Sequence, residues 1–169
     1  MLPKIKTILY ATGIGPRAPY VFRYALALAR QHGATIVAVH GMEPLSDFGQ
    51  SLIEQYISHE DSEEMHRKAR ETVRTQLAER IRQLCTKECD GATECENVVT
   101  SIKIVEGQPA QVIIDTANEC AADLIVMGAQ RHTLIGEVML GSTTRRVLHT
   151  ASQPVLVVKV PKGYEETLA

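Results

Sequence analysis

Short apolar runs rich in β-branched residues alternate along this chain with longer stretches whose apolar residues recur at helical spacing. Each short run has the length of a strand, and each longer stretch has the periodicity of a helix with one buried face. The pattern predicts five strands, at Thr7–Ala11, Thr35–His40, Val99–Val105, Leu124–Met127 and Pro154–Val158. Strands that alternate with helices in this way are typical of βαβ units in a parallel sheet.

Four helical segments separate the predicted strands. The first ends at Gly33, because glycine commonly caps the C-terminus of a helix. The second is a long amphipathic stretch between Met65 and Leu84, whose charged face is interpreted as solvated. Pro109 opens the third in the first turn, where a missing N–H costs nothing, and the fourth begins at Ser142.

Two strands carry patterns that indicate their place in the sheet. The residues of Val99–Val105 alternate between apolar and polar, which favours a strand exposed on one face and makes it a candidate sheet edge. The run that starts at Val155 is continuously apolar, which predicts cover on both faces. The fold class predicted from these elements is α/β, a doubly wound parallel sheet with helices on both faces.

The remaining stretches are polar or contain glycine and are predicted to be loops, at Gly41–Gln50, Cys85–Asn97 and Gly128–Gly141. The second of them contains Cys85, Cys89 and Cys95, but their spacing lacks the paired Cys-x2-Cys knuckles of a structural zinc site. We interpret the three cysteines as free thiols in a surface loop and predict no metal site.

Size and charge limit the classes of partner. A chain of 169 residues that is 44% hydrophobic predicts one domain over residues 1–160, followed by a tail at residues 161–169. A net charge of -2 lacks the basic excess of proteins that bind nucleic acid or anionic membranes. No apolar stretch approaches the roughly 18 residues of a membrane span, and no secretion signal is evident. We therefore predict a cytoplasmic protein with no nucleic-acid or membrane partner.

Candidate chemistry falls at the carboxyl ends of the strands, where an open parallel sheet binds its ligands. Glycine-rich stretches follow the first and fourth strands, so the two form one crevice if these strands are neighbours. The run from Gly141 through Ser142 to Thr144 opens a helix. Ser142 is predicted to cap this helix, whose free N–H groups would cradle a phosphate. A plain helix N-cap without any ligand explains the same residues.

The stretch that leads into this helix adds polar candidates. His132 and Thr133 are better placed to reach a triphosphate than the arginines that follow, and the alternative is that they are merely polar loop residues. Arg145 and Arg146 lie in the middle of a short helix and are interpreted as facing solvent. We leave these two arginines out of the candidate site.

The spacing of the glycines in this stretch resembles the closing motif of the universal stress protein family. Gly128-x2-Arg131-x9-Gly141-Ser142 matches the spacing of the family pattern G-x2-G-x9-G-[ST], and the similarity extends from about Lys4 to Lys159. The resemblance implies a five-stranded parallel sheet of order 3-2-1-4-5 and a homodimer formed through the last strand, Val155 to Val160. In one branch of the family it implies ATP bound between the first and fourth strands.

The resemblance also implies which positions would contact a nucleotide, with the phosphates near the glycine motif and the adenine near Met127 and Gly41. Together with the loop after the first strand, the candidate cofactor-binding residues are Ala11, Thr12, Gly13, Gly41, Met127, Gly128, Arg131, His132, Gly141, Ser142, Thr143 and Thr144.

Two of these positions depart from the family pattern. Arg131 replaces a glycine, so its side chain either blocks the phosphate cradle or adds a charge-assisted hydrogen bond to the anion. Gly13 stands where the family usually has an aspartate that helps to hold the adenosine. Losing one charged hydrogen bond typically costs about 1.5 to 3 kcal/mol, so we predict a weakened selectivity for adenosine.

Two other functions remain open. The spacing of Gly13, Gly15 and Ala18 matches a dinucleotide fingerprint, which favours an oxidoreductase, but the chain has no room for a typical substrate domain. A second branch of the resembled family is nucleotide-free and acts as a dimer through protein partners. Because no hydrolase or Walker motif is present, we predict a regulatory protein, for which the family resemblance implies at most slow ATP hydrolysis or autophosphorylation.

Overall fold

The helices and strands follow the alternation predicted above, in a computed structural model that describes residues 2–13, 15–44, 59–88, 92–132 and 138–164. In chain order they are β1 (Thr7–Ala11), α1 (Ala18–His32), β2 (Thr35–Met42), α2 (His59–Glu88), α3 (Ala92–Val98), β3 (Val99–Glu106), α4 (Pro109–Glu119), β4 (Leu124–Gly128), β5 (Gln130–His132), β6 (Val138–Leu140), α5 (Ser142–Thr150) and β7 (Val155–Val158).

The main sheet is parallel and has five strands in the order β3-β2-β1-β4-β7. This confirms the order 3-2-1-4-5, since β7 is the fifth strand predicted from the sequence. At the centre, β1 pairs with β2 on one side and β4 on the other, and Ala11 lies opposite both Val39 and Met127. The carboxyl ends of β1 and β4 are therefore neighbours.

Helices cover both faces of the sheet, as predicted. On one face, Tyr10 of β1 packs in an apolar cluster with α1 and with Leu77 and Ile81 of α2. On the other face, Leu9 packs with α4 and with Val147 of α5. Successive side chains of β1 thus enter opposite layers, which explains why this strand is apolar at every central position.

Two helix boundaries confirm the local signals in the sequence. Gly33 caps α1 in the left-handed conformation with φ of 63°, and its N–H donates to the carbonyl of Ala29. A residue with a Cβ would be strained at this φ. Pro109 is in the first turn of α4, where no intrahelical partner is available for an N–H.

The prediction of a loop over Cys85–Asn97 is wrong. The long helix α2 continues to Glu88, and α3 begins at Ala92. Lysine, glutamate and alanine are good helix formers, and no proline interrupts this stretch, so its polarity reflects solvent exposure of helices. The helix α2 also begins earlier than predicted, at His59, whereas the apolar stripe that indicated it begins at Met65.

Two further predicted loops are partly strand. The stretch Gly128–Gly141 contains the antiparallel pair β5 and β6, in which Gln130 lies opposite Leu140 and His132 lies opposite Val138. Likewise, β2 continues through Gly41 and Met42, because these residues pair with β3. Glu43 and Pro44 belong to no helix or strand, and residues 45–50 of the predicted loop lie outside the described residues.

The two edges of the sheet are β3 and β7, which confirms the edge prediction for β3. The expected cover on both faces of β7 is only partly correct. Leu156 packs against one apolar layer and Val155 and Val157 against the other, but all three are half-buried because β7 is an edge strand.

Beyond β7 the chain returns to α1. The Tyr164 ring packs edge-on against Tyr20 with the ring centroids 4.9 Å apart, and its hydroxyl accepts a hydrogen bond from Arg23 Nη1 at 2.8 Å. The domain boundary at residue 160 stays a prediction. Within the described residues, no helix is long and apolar enough to cross a membrane.

Candidate functional site

A cavity of about 510 Å³ lies at the carboxyl ends of β1, β2 and β4, and residues from both predicted loops line it. Ala11, Thr12 and Gly13 come from the end of β1 and the loop after it, whereas Thr143 and Thr144 come from the first turn of α5. The loop after β1 and the start of α5 therefore meet at the same edge of the sheet.

The other predicted site residues divide into three groups. Gly41, Met127 and Gly128 line the cavity, while Gly141 and Ser142 start α5 just outside its described lining. Arg131 and His132 belong to β5, but their side chains, like the whole of Thr133, lie outside the described part of the structure. Both roles considered for Arg131 thus stay predictions.

The start of α5 presents backbone donors to the cavity. Gly141 occupies the N-cap position and has no side-chain oxygen, so the first amides of the helix lack a side-chain cap. This corrects the prediction that Ser142 caps the helix, because Ser142 is its first helical residue. The Thr144 hydroxyl donates to the Gly128 carbonyl at 3.0 Å and ties α5 to the end of β4.

A hydrogen-bond network that the sequence did not reveal fixes the opposite wall. The Tyr10 hydroxyl donates to the Ala18 carbonyl at 2.8 Å. The Thr12 hydroxyl lies 2.9 Å from the Tyr10 hydroxyl and 2.8 Å from the Gly13 carbonyl, and the Thr12 amide donates to Val39 at 2.9 Å. Burial raises the pKa of Tyr10 well above its ordinary value, so this phenol stays neutral.

His40 of β2 completes this wall and is a lining residue that sequence reasoning missed. Its Nδ1 lies 2.8 Å from the Thr12 carbonyl oxygen. Because a carbonyl can only accept, Nδ1 carries the proton in this hydrogen bond. The available signal was positional, since His40 follows the buried part of β2 at the edge where β1 also ends.

Two glycines on the cavity wall have different steric surroundings. A Cβ at Gly41 would lie 2.8 Å from the Cα of Pro109, so glycine allows α4 to approach β2 closely. Among the described residues, the atom nearest to a Cβ at Gly13 would be the Gly15 amide nitrogen, 4.0 Å away. Position 13 can therefore accept a side chain, whereas position 41 cannot without displacing α4.

The charge around the cavity favours anions. Arg17 and His40 belong to the described lining, which includes no aspartate or glutamate. Three helices, α1, α4 and α5, begin at the cavity, and none has an acidic residue in its first turn. The positive ends of the helix dipoles and the Arg17 guanidinium both attract negative charge.

No group of three or more His, Cys, Asp or Glu side chains is placed to hold a metal ion among the residues that the structure describes. The side chains of Cys85, Cys89 and Cys95 are outside that part of the chain. Their interpretation as free thiols stays a prediction.

The fold and the cavity define an α/β protein with its candidate site where neighbouring parallel strands diverge. The chain belongs to the universal stress protein family, since the sequence model of that family matches residues 4–159. This confirms the resemblance that the glycine motif indicated.

Individual relatives agree with this assignment. The universal stress protein in the QAH/OAS sulfhydrylase 3′ region of Thermus aquaticus is 30% identical over 155 residues, 91% of this chain and 98% of the relative. UspA from Lactobacillus plantarum superposes with a TM-score of 0.63 at 23% identity, covering 93% of this chain and 99% of UspA. A universal stress protein in complex with cAMP superposes with a TM-score of 0.58 at 18% identity, covering 93% and 98%. The two structures show a common fold.

Proposed function

We propose that this protein binds an adenine nucleotide, ATP, or a related phosphate ligand in the cavity between β1 and β4. The phosphates lie at the first turn of α5, and the base lies near Met127 and Gly41. Occupancy of the cavity changes a surface that a regulatory partner recognises, and the proposed role is binding without catalysis.

One observation carries this proposal. The uncapped start of α5 and the loop after β1 meet at one cavity whose described lining has a guanidinium and no carboxylate. Such a site stabilises phosphate through amide donors and helix dipoles. Its volume of about 510 Å³ suits a small molecule, since such sites commonly measure about 300 to 1,000 Å³. The cAMP complex of a relative supports adenine nucleotides as the ligand class.

The proposed site discriminates weakly between bases. Gly13 provides no carboxylate, and the neighbouring Thr12 hydroxyl is within hydrogen-bond distance of Tyr10 and of the Gly13 carbonyl. The Thr12 hydroxyl is thus already engaged. We expect ATP and GTP to bind with dissociation constants within about tenfold of each other, since one charged hydrogen bond contributes about 1.5 to 3 kcal/mol.

Calorimetric titration of ATP tests the proposal, with mass spectrometry of small molecules released from protein purified without added nucleotide. Thr143→Glu places a negative charge in the first turn of α5 and is expected to weaken ATP binding about tenfold or more. Ser152→Glu is the matched control, because it adds the same charge at an exposed position beyond the end of α5. Absence of binding at millimolar ATP, or equal weakening by both variants, contradicts the proposal.

The exposure of β7 favours a second role that needs no ligand, a homodimer that acts through protein partners. Val155, Leu156 and Val157 are half-buried at the sheet edge, while Val158 and Val160 are buried in the subunit core. A dimer formed along β7 would cover Val155, Leu156 and Val157. Light scattering tests this role, with Val157→Lys expected to give monomers because a lysine on an edge strand opposes pairing. A monomeric wild-type protein contradicts it.

A further inference from the structure

The chain beyond β7 starts at the cavity, and the proposed function gives it no role so far. The strand ends at Val158, and Val160 is buried in the apolar cluster on the α1 face of the sheet and lines the cavity. Residues 161–164, which we call the C-terminal segment, follow Val160 directly and contact α1 through Tyr164. The segment therefore joins the cavity wall to the surface of a helix.

The C-terminal segment has a defined conformation and two contacts at its far end. The Tyr164 amide donates to the Pro161 carbonyl at 3.2 Å, which closes a turn. Gly163 has φ of 76° in this turn, a left-handed conformation that favours glycine. Tyr164 then contacts Tyr20 through its ring and Arg23 through its hydroxyl, and these two residues lie three apart on α1. One ring contact and one hydrogen bond thus hold the segment on the helix.

The helix that holds Tyr164 also forms part of the cavity wall. Ala18 and Val21 line the cavity, and Val21 packs in the same buried cluster as Val160. Tyr20, whose ring Tyr164 contacts, immediately precedes Val21. The cavity wall on the α1 side is therefore connected to Tyr164 twice, along the chain from Val160 and through the first turns of α1.

We propose that Tyr164 is a positioning residue for the ligand, an inference that rests on the proposed function. Its contacts with α1 hold Val160 in the cavity wall, so ligand binding and docking of the C-terminal segment stabilise each other. Only three residues separate Val160 from Tyr164, so release of the ring loosens the chain that carries the wall residue. Since coupling between two sites is reciprocal, the ligand favours the docked segment by the same factor by which the docked segment favours the ligand.

Calorimetric titration of ATP into Tyr164 variants measures the first half of this coupling. We expect Tyr164→Ala to raise the ATP dissociation constant about fivefold, the lower end of the range for coupled sites. Tyr164→Phe keeps the ring contact and is expected to stay within about twofold of wild type. Lys162→Ala is the matched control, because it truncates an exposed side chain of the same segment. Equal weakening by Tyr164→Ala and Lys162→Ala overturns the inference.

A double-mutant cycle with Val160→Ala distinguishes positioning from a general loss of stability. If Tyr164 acts through Val160, Tyr164→Ala weakens ATP binding less in the Val160→Ala protein than in wild type. We expect its effect there to fall from about fivefold to about twofold or less, because residues that act on one another are not additive. Effects that multiply in full overturn the inference, since they show that the two residues act independently.

Tryptic cleavage after Lys162 measures the second half of the coupling in the wild-type protein. This lysine is exposed within the C-terminal segment, and cleavage by a small amount of protease follows the population in which the segment has left α1. Saturating ATP is expected to slow the release of residues 163–169, followed by mass spectrometry, by about fivefold. In Tyr164→Ala the slowing is expected to be lost.

The outcomes separate this inference from the proposed function. If wild type binds ATP while Tyr164→Ala has the same dissociation constant, the inference is overturned and the proposed function stands. If wild type binds no ATP, both are overturned. Circular dichroism establishes that each variant is folded. Should Tyr164→Ala not fold, the wild-type cleavage rates decide, and a rate that saturating ATP leaves unchanged overturns the inference.

Discussion

The two walls of the cavity are built from different parts of the polypeptide. At the α5 wall, backbone amides at the start of one helix face the cavity, and the Thr144 hydroxyl holds that helix to β4. At the β1 wall, the side chains of Tyr10, Thr12 and His40 form a hydrogen-bonded network across two strands. Glycine spacing reveals the first wall because its residues lie in one stretch of chain, from Gly128 to Thr144, whereas the second joins residues 28 positions apart.

Substitution at Gly41 has the largest expected effect, because it disturbs the packing of α4 against the β1 wall. A valine Cβ would lie within 2.8 Å of the Pro109 backbone, so Gly41→Val displaces α4. We expect it to lower the free energy of unfolding by about 2 to 3 kcal/mol and to weaken ATP binding. Denaturant unfolding measures the first effect and calorimetry the second.

Gly13→Ala is the control for this experiment, because a Cβ at position 13 would approach no atom of the described part of the chain more closely than 4.0 Å. It is expected to change the unfolding free energy by less than about 0.5 kcal/mol. Equal unfolding free energies for Gly41→Val and wild type would contradict the assigned role of Gly41.

The next largest effect sharpens the comparison by adding a charge to the β1 wall. The family resemblance implies an aspartate at position 13, and the structure leaves room for its side chain. We expect Gly13→Asp to raise the preference for ATP over GTP by about tenfold, the effect of one charged hydrogen bond. Gly13→Asn, of nearly equal size and no charge, serves as control. A preference that is the same in both variants and wild type would show that this carboxylate is not a selectivity group here.

A smaller effect is expected at the α5 wall. Thr144→Val keeps the side-chain shape and removes the hydroxyl that donates to Gly128 at 3.0 Å. We expect the unfolding free energy of the ligand-free protein to fall by about 1 kcal/mol. Thr143→Val is the matched control on the same helix turn, since no hydrogen bond of its hydroxyl is described. Equal losses in the two variants would show that the Thr144 bond does not hold α5 in place.

The smallest effect lies away from both walls, where β1 begins. The Asp123 carboxylate accepts hydrogen bonds from the amides of Lys6 at 2.7 Å and Thr7 at 3.0 Å, and these bonds lower its pKa. The stabilisation is therefore present at neutral pH and is lost as the pH falls below about 4, toward the lowered value. Melting temperatures across that range should fall less steeply for Asp123→Asn than for wild type. Parallel curves would contradict this assignment.

Much of the fold can be predicted from the apolar pattern alone. The run Thr7–Ala11 coincides with β1, and Gly33 and Pro109 mark helix ends, because each of these signals acts within a few residues. Neighbouring strands are separated by whole helices, so their order came from the family resemblance. The segment Ala92–Val98 was missed because a short polar helix has the composition of a loop.

The candidate site could be predicted only in part. The ends of the strands and the glycine-rich stretches indicated Thr12 and Thr144 as cavity residues, and the family resemblance indicated Gly41. Nothing in the sequence indicated that Gly41 accommodates Pro109, since the clash depends on how closely a later helix packs. The same reason applies to His40, whose position beside Thr12 depends on the pairing of β1 with β2.

The hydrogen bonds of Thr12 affect the rate at which a molecule enters the cavity and the entropic cost of its binding. Its amide, carbonyl and hydroxyl all have partners in the protein, on β2, on the His40 ring and on Tyr10. An arriving molecule therefore meets a preorganised surface and loses little affinity to immobilising it. We expect association to proceed without a slow rearrangement on this side of the protein.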